Sequence, residues 1–74
     1  MKDAALGNAM KALRAEANLT QAELALQVGV TRKTINTVEN GVFIPSALLA
    51  LKIAQALGRP VETVFWIRDE SGNG

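Results

Sequence analysis

The stretch 20–40 restricts the fold of this chain more than any other part of it, because it encodes two short helices with almost no chain between them. Thr20-Gln21-Ala22-Glu23 spells a capping box. In that motif the threonine hydroxyl accepts from the Glu23 backbone N–H while the glutamate carboxylate reaches back to the cap. Leu19 and Leu24 flank the cap at the spacing of a hydrophobic staple. Gly29 stops this helix, as a residue at ease in left-handed backbone does. Thr31 then caps the next helix, and Asn40-Gly41 ends it. Two helices joined by so short a turn must cross steeply. The crossing needs a small residue, met by Ala25, and apolar anchors beside the turn, met by Leu24, Val28 and Val30. Ile35 and Val38 supply branched side chains one turn apart on the second helix. Packing those two inward leaves Arg32, Lys33, Asn36, Thr37 and Asn40 on the opposite, polar face.

The flanking sequence reads as three further helices. Leu6, Met10, Leu13 and Ala17 recur on one face of a first helix, with Gly7 weakening its start. Ser46 after Pro45 caps a fourth, in which Leu48, Leu51, Ala54 and Leu57 form the buried stripe with Ile53 at its edge, and Gly58 closes it. Pro60 precedes a short last helix from Val61 to about Ile67. Strand patterns and internal repeats are absent. The expected fold is therefore all-α, five helices in one domain over 1–70, with 71–74 a disordered tail that has nothing to bury.

With 74 residues and neither Cys nor His, the chain has no disulfide and poor means of holding zinc. A core of this size rarely supplies more than about 3–5 kcal/mol, so tight helix packing or self-association must stabilise it. The same composition argues against catalysis: there is no His, no Cys, no glycine-rich phosphate loop and no acid cluster at metal-ligand spacing. No enzyme activity, cofactor or small-molecule ligand is expected. The net charge of +1 is small, but it divides into +3 over residues 1–59 and −2 over 60–74, a basic body with an acidic end. Ordinary scatter of surface charge would look the same. The most apolar stretch, 42–57, is broken by Pro45, Ser46 and Lys52, far short of the roughly 20 apolar residues of a membrane span. A soluble, cytoplasmic, nucleoid-associated protein is expected.

Several blocks together resemble the small helix-turn-helix regulators of the Cro/C1, or XRE, type. They are Leu13-Arg14, 19–25, 28–31, Ile35, 38–41, Pro45, 53–58 and 61–65. The resemblance covers about Leu6 to Ile67 and implies a lambda-repressor-like fold with the helix-turn-helix at helices 2 and 3. It implies that the third helix enters the major groove of double-stranded DNA, with Arg32, Lys33, Asn36 and Thr37 reaching base edges. Gln21, Thr31 and Asn40 would contact phosphate. By residue type alone, Arg32, Lys33 and Thr37 are also a solvated helix face, Gln21 a plain polar helix start, and Asn40 a residue chosen for a left-handed turn. The resemblance further implies a partly buried Arg14–Glu39 ion pair tying the first helix to the end of the third. Pro60 departs from the Ser or Asp that usually caps the last helix of such proteins.

Phe65, Trp66 and Ile67 are large and consecutive, so on a helix they cannot all face one core. They are expected to form a homodimer interface, unless the Trp66 ring folds over the fourth helix of its own chain. A dimer would suit a palindromic operator with half-sites about 34–36 Å apart. The expected function is that of a bacterial or phage transcriptional regulator, a repressor or an activator. A DNA-binding antitoxin of a toxin–antitoxin pair is the second reading, and a protein-interaction module that no longer binds DNA is a third.

Overall fold

Each of the three longer helices starts where a side chain receives one of its free N–H groups. In the computed structural model, which describes residues 4–69, these are α2 (Gln21–Val28), α3 (Arg32–Glu39) and α4 (Ala47–Leu57). Thr20 accepts from the Glu23 N–H at 3.0 Å, and the Glu23 carboxylate accepts from the Thr20 N–H at 2.9 Å, so the capping box is complete. Thr31 and Ser46 accept from Thr34 and Leu49 in the same way. Gly29 and Gly58 end α2 and α4 in left-handed backbone. The remaining elements are β1 (Ala4–Asn8), α1 (Met10–Glu16), α5 (Val61–Val64) and β2 (Phe65–Asp69). The turn after α1 contains Asn18, the one non-glycine among the described residues with a positive φ, 58°. Asn tolerates that region better than most residues.

The two strands correct the all-α expectation. β1 and β2 pair antiparallel, Ala4 with Asp69, Leu6 with Ile67, Gly7 with Trp66 and Asn8 with Phe65. Leu6 therefore precedes the first helix instead of lying on it, and the last helix stops at Val64 rather than near Ile67. Neither strand alternates cleanly, and each is held by a partner from the far end of the chain, so a local pattern does not reveal them. Gly7 has a steric role. A Cβ there would lie 2.8 Å from Cε2 of Trp66 and 2.8 Å from Cδ of Arg68, so the missing side chain makes room for the indole across the pair.

One core joins all the elements. It contains Met10 and Leu13 of α1, Leu24, Ala25 and Val28 of α2, Ile35 and Val38 of α3, Ile53, Ala54 and Leu57 of α4, and Val64 and Phe65. α4 is rotated from its expected setting. Ile53 is fully buried, with Leu49 and Ala50 packed beside the core, whereas Leu48 and Leu51 are 64% and 56% exposed. This helix is apolar on nearly every side except Lys52 and Gln55, so periodicity did not define its inner face. The expected tail, 71–74, lies outside the described residues. No helix among the described residues is long and apolar enough to cross a membrane.

Candidate nucleic-acid interface

The candidate face is built from α3 upward. Its only buried residues are Ile35 and Val38, which seat it against α2 across the Gly29 turn. The N–H groups of Gly29 and Val30 both donate to the Ala25 carbonyl, at 2.9 and 3.0 Å. That carbonyl would otherwise lack a partner at the helix end. With the inner face so placed, Thr31, Arg32 and Lys33 are exposed, and Asn36 and Thr37 are half-buried. Arg32, Lys33 and Asn36 line one open hollow of about 360 Å³. Thr37 is less available than these three: its hydroxyl donates to the Thr34 carbonyl at 2.9 Å, and its own carbonyl accepts from Val42 and Phe43.

Behind this face lies a polar network that joins three helices. Arg14 on α1 meets Glu39 on α3 side-on, through Nε to Oε2 at 2.6 Å and Nη2 to Oε1 at 3.2 Å. Its third nitrogen donates to the Leu19 carbonyl at 2.9 Å. The side chains of Arg14 and Glu39 are 14% and 5% exposed. The hydrogen bond to Glu39 raises the Arg14 pKa further above its ordinary value, against the opposing effect of burial. Gln21, at the start of α2, donates through Nε2 to Glu39 Oε1 at 3.0 Å, and its Oε1 accepts from Arg32 at 3.2 Å. Gln21 is thus a bridge between the ion pair and an arginine of the exposed face, in addition to any contact with phosphate.

Asn40 carries a correction. Its φ is −88°, so it does not occupy the left-handed turn; Gly41, at φ +74°, does. The Asn40 amide donates to Asn36 Oδ1 at 3.3 Å and stays exposed. The three residues expected at a dimer contact differ in exposure. Phe65 is 7% exposed and belongs to the core, while Trp66 lies over Gly7 on the other side of the strand and Ile67 is 80% exposed. Alternation along a strand puts Phe65 and Ile67 on one face and Trp66 on the other, which leaves Trp66 and Ile67 as the exposed members of the set.

Asn8 was missed in the sequence. Its amide nitrogen donates to the carbonyls of Val38 and Glu39, at 3.2 and 3.3 Å, and its oxygen accepts from the Met10 N–H at 3.1 Å. One side chain thereby satisfies free groups at the end of α3 and the start of α1. The only signal was an Asn two residues before a helical run, a common arrangement in turns.

Residues 10–64, which hold α2, its turn and α3, match a family model described as Helix-turn-helix. The chain belongs to the Cro/C1-type helix-turn-helix family. The matched region begins at α1 and ends with α5, so β1 and β2 lie outside it. Among relatives of this family, the uncharacterized HTH-type transcriptional regulator YgzD of Bacillus subtilis is 45% identical over 64 residues, covering 86% of this chain and 97% of its own. An uncharacterized HTH-type transcriptional regulator of Methanothermobacter thermautotrophicus is 55% identical over 60 residues, covering 80% of this chain and 86% of its own. The crystal structure of the restriction-modification controller protein C.AhdI from Aeromonas hydrophila superimposes with a TM-score of 0.69 at 31% identity. That match covers 73% of this chain and 78% of C.AhdI.

Proposed function

We propose that this helix-turn-helix protein is a sequence-specific, double-stranded-DNA-binding transcriptional regulator that acts as a dimer on a palindromic operator. α3 is the recognition helix. Arg32, Lys33 and Asn36 contact base edges in the major groove, with Thr37 at the margin, and Gln21, Thr31 and Asn40 contact phosphates. The observation that carries this reading is the division of α3. Two residues anchor it, while two cations on its first turn and an amide one turn later surround one open hollow. Arginine and lysine there can donate to guanine O6 and N7, and asparagine can pair with adenine. The Gln21–Arg32 contact favours the same reading, because it holds a flexible guanidinium above the groove-facing side before DNA arrives.

Selection of bound sites from random duplex DNA tests this directly. The expected result is a motif with twofold symmetry whose half-sites lie about one helical turn apart. Arg32→Ala and Lys33→Ala should each weaken the selected site by about 1–3 kcal/mol if they read bases. A phosphate-only role would instead weaken all sequences alike and lower the salt dependence of binding by about one unit of slope. Retention of both affinity and specificity by the double variant refutes the assignment of the reading face.

A further inference from the structure

Outside α3, the surface carries an apolar stretch that folding leaves uncovered. Val42, Ile44, Leu48 and Leu51 are 77%, 70%, 64% and 56% exposed, and Phe43 is half exposed. They fall within ten consecutive positions, 42–51, that contain no charged residue. The backbone there is well held, since Val42 and Phe43 both donate to the Thr37 carbonyl and Ser46 caps α4. The exposure is therefore a property of an ordered surface. Leu48 and Leu51, one turn apart, form the outer face of α4 opposite the buried Ile53.

We infer that residues 42–51 form the homodimer interface, with a second copy of this chain as the occupant. Area and charge both favour a copy. An aliphatic side chain offers on the order of 100 Å² of apolar surface, so the exposed parts of these five amount to roughly 350 Å² per copy and about 700 Å² for a facing pair. At the usual apolar share of an interface, that corresponds to about 1,100–1,250 Å² in total, the lower end of stable assemblies. A twofold axis places a surface against itself. The stretch can meet itself with no like charges opposed inside it, Lys52 standing at its rim in the hollow it shares with Leu48, whereas an acidic or basic partner would find nothing within it to pair with. Leu26, Trp66 and Ile67 are also exposed, but Leu26 is followed by Gln27, and Trp66 and Ile67 are consecutive on a strand and so face opposite ways, with Arg68 and Asp69 after them. The inference deepens the proposed function by supplying the second recognition helix that a palindromic operator needs, and it rests on that reading for its purpose only.

The test is made without DNA. Sedimentation velocity on the full chain should show a dimer at tens of micromolar, and Leu48→Glu with Leu51→Glu should convert it to monomer, while Ile67→Glu leaves it dimeric. Because a separated protomer of this size can unfold, a second measurement uses single cysteines in this cysteine-free chain. Leu48→Cys or Leu51→Cys should form an intermolecular disulfide under mild oxidation, and Leu26→Cys should not. A monomeric wild-type protein overturns the inference. So does a dimer that survives the charge pair but dissociates with Ile67→Glu, or one in which neither α4 cysteine cross-links. Site selection with the monomeric protein separates this failure from that of the DNA reading, since base contacts by Arg32 and Lys33 would still register at a half-site.

Discussion

Removing the Arg14 side chain should destabilise the domain more than any other single polar change. Arg14→Ala deletes three hydrogen bonds: two to Glu39, at 2.6 and 3.2 Å, and one to the Leu19 carbonyl at 2.9 Å. It leaves the Glu39 carboxylate, whose side chain is 5% exposed, with Gln21 as its remaining side-chain donor. Breaking one half of a buried pair typically costs about 3–5 kcal/mol, chiefly through the charge left behind. Arg14 retains some solvent contact and Gln21 stays in place, so the lower end of that range applies, about 3 kcal/mol. For a domain of 60–100 residues each kcal/mol lowers the midpoint by about 4–8 °C. The expected fall is thus about 12–24 °C, followed by far-UV circular dichroism at fixed protein concentration. Replacing both partners by Arg14→Met with Glu39→Met should recover most of the loss, because no unpaired charge then remains. A fall of under about 4 °C for Arg14→Ala would mean that the pair is worth no more than a surface ion pair, about 1 kcal/mol or less, and would refute the reasoning.

Asn8→Ala should lower stability by about 1–2 kcal/mol in urea unfolding, because the Glu39 carbonyl loses its side-chain donor and the Met10 N–H its acceptor, while the Val38 carbonyl keeps the Gly41 N–H; an unchanged midpoint would show that water replaces the amide freely. Gly29→Ala meets no atom within 4 Å, so only its backbone, at φ +79°, resists. A loss of about 1–2 kcal/mol is expected from the same unfolding curves. Gly7→Ala should push the indole of Trp66, the only tryptophan, off the sheet, with a red-shifted emission maximum and a cost of about 1 kcal/mol or more. Unshifted fluorescence would show that the strand pair absorbs the methyl without moving the ring.

What could be read in advance was whatever is encoded between near neighbours. The Thr20 capping box, the Gly29 stop and the Thr31 cap each depend on residues within a few positions, and the structure places all three as their spacing required. The inner faces of α2 and α3 were also legible, since their apolar residues are few. α4 was not, because leucine on several sides gives the period no contrast: Leu48 and Leu51 looked like core and are not, while Ile53 is central to it. The strands were illegible for a different reason. Ala4–Asn8 and Phe65–Asp69 acquire their conformation from each other, a pairing over most of the chain that no window of a few residues contains. The side-chain set of the candidate interface followed from the helix phase. The role of Gln21 as a bridge to both Glu39 and Arg32 did not, because it depends on three helices meeting at one point.

The β1–β2 ladder sets residue 4 beside residue 69. The helices between them are strung on a loop whose two strands are hydrogen-bonded at the base. Peeling either strand away strips its mate of its only ladder partner among the described residues, so the entry and exit of the domain loosen together. Any module joined before β1 would emerge from the same edge as one joined after β2. A short tether between those two points would leave the order of packing intact, and new ends could then be opened at a loop elsewhere.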